Sequence, residues 1–279
     1  MSHPLTVEAP RRSPLRTTLT VLGAVAVAAT YAFLIVSQPA DVANGPTAAG
    51  ALVALTGFGI AMVLLFAGIL PSLPTTTLAL IPVALVLNIV LGQFVGSTLI
   101  PIYLDSIGTV LVGFLAGSAA GAATGLLSTL VWSFFNPTVL PFAAGAAAIG
   151  ALAGLAARLG VVRRFYLVPV AGLITGFVAA AIAAPIAVIV FGGTATGATG
   201  AVIALFRAAG QNLVQSVTTG AFTSDLPDKL VTFSVAAALA YALPRRSTQR
   251  FEFVRRHRVL AGAKQTAARH ADGEAAPAA

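Results

Sequence analysis

The chain contains no cysteine, which excludes disulfide frameworks, thiolate metal sites and cysteine nucleophiles. The only histidines, His3, His257 and His270, lie near the two ends of the chain. The long apolar middle therefore has no imidazole to hold a metal ion or relay a proton. Only an aspartyl mechanism remains open to an enzyme within the membrane, and no Gly-x-Gly-Asp motif supports one. We therefore expect neither an enzyme nor a bound cofactor.

Charge is also scarce, because only 9% of the 279 residues are charged whereas 58% are apolar. A water-soluble fold cannot bury so much apolar surface, so lipid must be the solvent for most of the chain. The sixteen Lys and Arg outnumber the eight Asp and Glu, and they concentrate in the tails and short loops. This distribution is typical of topology signals at a membrane surface. It predicts a multi-pass protein of the cell membrane with no nucleic-acid partner.

Apolar stretches long enough to cross about 30 Å of hydrocarbon recur along the chain. The predicted spans are 15–36, 48–70, 76–95, 100–116, 119–135, 142–159, 166–191 and 228–243. The gap before the last span is long for a loop, and we expect a helix there at about 201–217, at the outer surface or dipping into the bundle. The basic and then Ala-rich stretch 245–279 predicts a disordered tail. The alternative is a short amphipathic turn in which Phe251, Phe253 and Val254 lie on the inner leaflet.

The number of spans follows from three arginine-bearing segments. They are Arg11 to Arg16, Arg158 to Arg164, and the run from Arg245 to Arg269. Because positively charged segments stay in the cytoplasm, all three should lie on that side. This arrangement requires two helices between residues 100 and 135, with a turn near Gly117. We therefore predict eight crossings with both termini in the cytoplasm.

Glycines recur at every fourth residue in two regions of the predicted bundle. They are Gly113, Gly117, Gly121 and Gly125 in the first region, and Gly150 and Gly154 in the second. Small residues at this spacing let helix backbones approach closely in lipid. We expect tight helix packing in both regions.

Three acidic residues lie close to the spans, where a charged side chain costs at least about 2.5 kcal/mol. Asp105, Asp225 and Asp228 all fall at the outer ends of predicted helices, although some 120 residues separate the first from the others. Each has a structural alternative: Asp105 and Asp225 could cap helix amino ends, and Asp228 could pair with Lys229. The hydroxyls near Asp105 favour a ligand-orienting site.

Trp132 and Asn136 end the fifth predicted span on the same outer side. Trp at such a position is either an interfacial anchor or a surface on which a flat ligand stacks. Both interpretations stay open at this point. The candidate substrate-binding residues are Tyr103, Asp105, Ser106, Trp132, Asn136, Asp225 and Asp228.

Several short stretches resemble the S component, the substrate-capture membrane subunit, of energy-coupling factor (ECF) transporters. They are IPVALVLNIVLG at 81–92, YLDSIGT at 103–109, GFLAG at 113–117, GAATGLL at 121–127 and FTSDLPDK at 222–229. The resemblance covers about 60% of the chain, as six-span topology and short local patterns. It implies a six-helix bundle with a ligand pocket walled by the outer loops at about 96–106, 136–142 and 192–227.

The resemblance divides the chain into four parts. A cytoplasmic segment, 1–16, precedes two additional transmembrane helices at 17–75, the six-helix core at 76–244 and the tail at 245–279. The fold class is thus an all-α membrane protein, with an S-component-like bundle preceded by two extra helices. The implied partners are a transmembrane coupling subunit and two ATPase subunits, with a small nutrient, such as a vitamin or its precursor, as ligand. The alternative is a membrane sensor or scaffold that signals a bound small molecule to a partner.

Overall fold

A computed structural model describes residues 14–98, 100–193 and 197–260, and within them it is helical without strands. The α-helices are α1 (Pro14–Ser37), α2 (Ala49–Ile69), α3 (Thr75–Gly96), α4 (Ile107–Ala116), α5 (Ser118–Ser133), α6 (Ala143–Arg158), α7 (Val168–Pro185), α8 (Gly197–Ala208), α9 (Leu213–Ala242), α10 (Arg245–Thr248) and α11 (Glu252–His257). Short 3-10 turns at Leu70–Ser72, Pro137–Phe142 and Phe165–Leu167 extend α2, α6 and α7, and a π-helical turn at Ile186–Val190 extends α7 at its other end.

Within the described residues, five helical segments of 22 to 26 residues are long and apolar enough to cross a membrane. They are Pro14–Ser37, Ala49–Ser72, Thr75–Gly96, Pro137–Arg158 and Phe165–Val190. At 1.5 Å per residue each covers about 33–39 Å, which exceeds the hydrocarbon thickness of a bilayer. The chain is therefore an all-helical, multi-pass membrane protein, as its composition predicts.

Two helices occupy the stretch 100–135, as the arginine distribution requires. Gly117 separates α4 from α5, and its φ of 94° lies in a region that only glycine adopts freely. α4 has only ten residues, about 15 Å, and every side chain from Ile107 to Leu115 is buried. It begins later than predicted because residues 100–106 run into the bundle without forming a helix. α4 is thus the central helix, in contact with α3, α5, α6 and α9.

The glycine series places α4, α5 and α6 in close backbone contact. A Cβ added at Gly113 would lie 2.9 Å from the carbonyl oxygen of Gly150, and one added at Gly150 would collide with the backbone of Gly121. Gly154 faces the backbone of Ser118 in the same way. The predicted tight packing is confirmed, and α5 and α6 run antiparallel along this contact.

Helix α9 corrects the sequence prediction for the region before Pro244. The predicted span begins at residue 228, whereas α9 begins at Leu213 and includes Pro227 in its interior. Its amino end is capped by Asn212, whose side chain accepts the Gln215 N–H in a capping box. Asp225 therefore lies more than three turns inside the helix and is not its cap. The helix expected at 201–217 is instead α8, which ends at Ala208.

The basic segment after Pro244 also differs from the prediction of a disordered tail. Residues 245–260 form α10 and α11, and Phe251, Val254 and Val259 are buried against the bundle. Phe253 packs against Gly117, at the end of α4 remote from Ile107. An ordered turn is present, as the alternative expects, but its apolar side chains pack against the bundle and not on the inner leaflet. Residues 261–279 lie outside the described residues.

The two amino-terminal helices form a hairpin at the side of the bundle. An added Cβ at Gly23 would meet Leu65, and one at Gly57 would meet Thr30, so α1 and α2 run antiparallel in close contact. α2 packs against α5, and the hydroxyl of Tyr31 on α1 donates to the Ile182 carbonyl at 3.0 Å. The hairpin thus covers one side of α5 and α7.

Candidate functional site

A cavity of about 730 Å³ lies within the bundle, at the end opposite to α11. Its walls come from the last turns of α3 and α5, the first turns of α4 and α6, the end of α7, and parts of α8 and α9. Neither α1 nor α2 contributes a residue to the lining. A volume of this size suits a small organic molecule. We take this cavity as the candidate site.

A buried ion-pair network forms one wall of the cavity. The side chains of Asp228 and Lys229 are 0% and 4% exposed, and the Lys229 ammonium forms a close ion pair with Asp228. Lys229 Nζ also lies 3.2 Å from Asp105 Oδ1. The predicted pairing of Asp228 with Lys229 is present, and it extends to Asp105. Because each charge has an opposite partner, the cost of burial is reduced.

The second oxygen of Asp228 holds the segment that leads into α4. Asp228 Oδ1 accepts the backbone N–H groups of Tyr103, at 2.9 Å, and Leu104, at 2.7 Å. Leu104 has a φ of 53°, an uncommon value for a residue other than glycine. Two hydrogen bonds to a buried carboxylate stabilise this turn. Asp228 thus supports the wall of the cavity from behind, whereas Asp105 and Lys229 line it.

Asp105 faces the cavity and is about one third exposed. Its Oδ1 accepts the hydroxyl of Ser106 at 3.1 Å and the Lys229 ammonium. It does not cap α4, since the N-cap residue is Ser106 and forms no side-chain cap. The N-cap alternative for Asp105 is therefore wrong. Its Oδ2 has no hydrogen bond to any described residue and is free to bind a ligand.

Asp225 lines the cavity one helical turn before Lys229. Among the described residues, it has no hydrogen-bond or ion-pair partner. It therefore presents an unpaired carboxylate within a largely enclosed space. The adjacent Ser224 is buried and also lines the cavity, with its hydroxyl 3.4 Å from that of Thr199.

Tyr103 connects this wall to helix α8. Its hydroxyl lies 2.6 Å from the hydroxyl of Thr199, and both residues line the cavity. Burial raises the pKa of the Tyr103 phenol above its ordinary value, and the neighbouring carboxylates act in the same direction, against the Thr199 hydrogen bond. The phenol therefore stays neutral and remains both a donor and an acceptor of hydrogen bonds.

Trp132 lies inside the bundle rather than at the lipid interface. It is only 8% exposed, lines the cavity and donates from Nε1 to Gln93 Oε1 at 3.4 Å. An added Cβ at Gly92 would lie 2.5 Å from the indole ring and 2.9 Å from the Asp105 side chain. The indole and the Asp105 side chain therefore lie against the same glycine. The interfacial-anchor interpretation is wrong, and the position suits contact with a ligand.

Asn136 follows α5 at the rim of the cavity. Its Oδ1 accepts two hydrogen bonds from Thr138, one from the backbone N–H at 3.3 Å and one from the side-chain hydroxyl at 2.6 Å. These hydrogen bonds cap the 3-10 turn at Pro137–Phe142. Its side chain therefore has a structural role, and its amide NH₂ makes no hydrogen bond to a described residue.

Asn88 forms the floor of the cavity and connects three helices, since it lies on α3 and contacts both α4 and α5. Its Nδ2 donates to Thr109 at 2.8 Å and to Ser128 at 3.3 Å, while its Oδ1 accepts the Gly108 N–H at 2.7 Å. The interhelical hydrogen bonds expected for a polar residue within α3 are therefore present. Asn88 fixes the start of α4 against α3 and α5.

Six of the seven predicted site residues line a single cavity, namely Tyr103, Asp105, Ser106, Trp132, Asn136 and Asp225. Asp228 lies behind the wall. Sequence reasoning did not place Lys229, Thr199, Asn88 or Gln93 at the site. Lys229 has a signal in the sequence, since it is a lone lysine within an apolar stretch beside two acidic residues. Within the described part of the chain, no three acidic or histidine side chains form a metal-binding group.

Comparisons with protein-family models, with characterised proteins and with solved structures gave no match.

Proposed function

We propose that this chain is the substrate-capture subunit, or S component, of an ECF transporter, and that it binds a small nutrient such as a vitamin or a precursor. The observation that carries this proposal is the cavity, whose walls belong entirely to the proposed six-helix core at 76–244. It lies beside the outer segments that the resemblance assigns to ligand binding. In this proposal the two helices at 17–75 are an appended hairpin that leaves the cavity unobstructed.

The direction of capture follows from the distribution of charge along the bundle. Arg158, Arg163 and Arg256 lie close to His257 at the end opposite to the cavity. Basic residues near membrane spans favour the cytoplasmic side. We therefore orient the cavity toward the outside and both termini toward the cytoplasm. In the cell membrane, this orientation lets the cavity take up ligand before the energised partners act.

The partners required by this proposal are a transmembrane coupling subunit and two ATPase subunits. The chain carries no Gly-x-x-x-x-Gly-Lys-Ser/Thr phosphate-binding motif, so it needs another subunit to use ATP. We assign it no catalytic step of its own. The basic end formed by α11 and the loop after α6 faces the compartment in which the ATPases would lie.

The test is affinity purification of the tagged full-length chain from its native membrane, followed by uptake assays. We expect co-purification of two ATPase subunits and a membrane coupling subunit, and uptake of the nutrient that stops when either ATPase is inactivated. Uptake that persists in cells without these ATPases would contradict the proposal.

One observation favours a sensor or scaffold as the second candidate. The buried helix α4 contacts the cavity through Thr109 at its first turn and is followed by Gly117, which packs against Phe253 of the basic segment. A ligand that moves α4 could therefore change the exposure of α11. Recovery of a kinase or transcription regulator in the same purification, with no ATPase, would favour this candidate.

A further inference from the structure

The cavity carries more negative than positive charge. The carboxylates of Asp105, Asp225 and Asp228 lie in or directly behind its wall, whereas Lys229 is the only Lys or Arg among the described lining residues. With all four groups ionised, the net charge is minus two. In surroundings of low dielectric constant such an excess attracts a cation strongly and repels an anion.

The three carboxylates differ in how many partners they have. Asp228 is fully satisfied by two backbone N–H groups and by Lys229. Asp105 uses one oxygen for Lys229 and Ser106, and its other oxygen is free. Asp225 has no partner among the described residues. The negative charge that no cation balances therefore lies on Asp225 and on Oδ2 of Asp105.

An unpaired carboxylate away from bulk water is costly, and it must bind either a proton or a counter-cation. The protein supplies no second ammonium or guanidinium to this cavity from its described lining. A ligand that brings its own positive charge would offset this cost. A neutral ligand could only donate hydrogen bonds, and an anionic ligand would add a repulsion.

Aromatic side chains lie next to these carboxylates. Trp132 contacts the same glycine as Asp105, and Tyr103 and Phe142 also line the cavity. The hydrogen bond to Gln93 and the packing on Gly92 fix the orientation of the indole. Aromatic faces bind flat rings and attract cations. The arrangement therefore combines a surface for a ring with an adjacent site for positive charge.

We propose that the ligand is a small organic cation with a flat aromatic ring, whose charge is bound by Asp225 and Asp105 and whose ring lies against Trp132. This inference rests on the capture function proposed above and specifies the class of nutrient. The cavity of about 730 Å³ has room for such a molecule.

Three probes of nearly identical size and different charge test this inference: phenethylamine, 2-phenylethanol and phenylacetate. Each is titrated calorimetrically into the purified full-length protein in detergent. We expect phenethylamine to bind at least about ten-fold more tightly than 2-phenylethanol, as a charge-assisted contact predicts, and phenylacetate to bind most weakly. Absence of phenethylamine binding, or equal or tighter binding of phenylacetate or 2-phenylethanol, would overturn the inference.

Asp225→Asn removes the unpaired charge with almost no change in shape, and Asp41→Asn is the matched control. Asp41 lies outside the cavity, in the loop between α1 and α2, where it accepts the Gly50 N–H. We expect Asp225→Asn to bind phenethylamine less than about three-fold more tightly than 2-phenylethanol. Asp41→Asn should keep the full difference in affinity between these two probes. An unchanged preference in Asp225→Asn would contradict the assignment. If that variant does not fold, Asp105→Asn serves as the second test, with the same expected direction.

The binding experiments and the co-purification experiment can fail independently of each other. A purified protein that prefers the neutral or anionic probe yet co-purifies with ATPase subunits would contradict the cation class and leave capture intact. A protein that prefers phenethylamine but recovers no ATPase subunits would keep the cation site and contradict the transporter assignment.

Discussion

Asp228 accepts the backbone N–H of Leu104 at 2.7 Å, although 124 residues separate the two in sequence. This hydrogen bond, with the one from Tyr103, joins the segment before α4 to the middle of α9. The next residue, Lys229, binds Asp105 on the same segment. The network therefore has a structural role and also sets the position of the carboxylate that faces the cavity.

Lys229→Met should destabilise the protein strongly. The substitution leaves Asp105 and Asp228 without their shared cation, and loss of one partner of a buried ion pair typically costs about 3–5 kcal/mol. Thermal unfolding of the purified protein in detergent measures the effect. The double variant Lys229→Met/Asp228→Asn removes one of the two stranded charges and should recover part of the loss. If the single variant melts like the wild type, the ion pairs do not stabilise this wall.

Gly150→Ala should weaken the packing of α5 on α6. Its new Cβ would collide with the backbone of Gly121, and neither backbone can move without separating the helices. We expect a loss of about 1–3 kcal/mol, as for other overpacked interiors. Gly59→Ala is the matched control, because a Cβ at Gly59 on α2 meets no atom within 4 Å. Equal melting temperatures for the two variants would contradict the close approach.

Much of this fold could be predicted from the sequence, because lipid imposes simple rules on length, charge and small residues. Apolar length predicts α1, α2 and α3 to within one residue at each end. The arginine distribution predicts a break near Gly117, and the glycine spacing predicts tight helix packing, which the structure shows between α5 and α6. Each of these signals is local or depends only on which side of the membrane a segment occupies.

The region around Asp225 shows where such reasoning fails. The order Asp225, Pro227, Asp228 matches the start of a helix, and the polar residues before it predict a loop. In the structure, α9 continues through this region because Asp228 and Lys229 find partners on the segment before α4. Those partners are distant in sequence, so only the tertiary fold reveals that a charged stretch belongs inside a helix. For the same reason the sequence favours a disordered tail at Phe251 and Val254 and predicts an ordered turn there only as the alternative, since arginines surround them.

His257 should have a pKa below its ordinary value of 6.5. Partial burial disfavours the imidazolium, and the positive charges of Arg256, Arg158 and Arg163 act in the same direction. Because the docked state binds the proton more weakly, the contribution of His257 to the docking of α11 is fully present above about pH 6.5 and is lost as the pH falls through the lowered pKa. Histidine-selective NMR measures the pKa, and His257→Gln assigns the resonance. A midpoint at or above 6.5 would show that these arginines do not surround the ring.

The absence of cysteine allows a direct test of the proposed orientation, because any introduced cysteine is the only thiol in the chain. Three variants place the thiol beside the three arginine-bearing segments: Ser2→Cys, Phe165→Cys and Gln249→Cys. Two more variants place it at exposed positions on the end of the bundle that holds the cavity: Asn44→Cys and Thr138→Cys. A membrane-impermeant maleimide applied to intact cells should label the last two and spare the first three. Permeabilised cells, in which all five should react, control for access. If labelling places the first three cysteines on different sides of the membrane, the three arginine-bearing segments do not share a compartment. The outward-facing orientation of the cavity, on which substrate capture depends, would then be wrong.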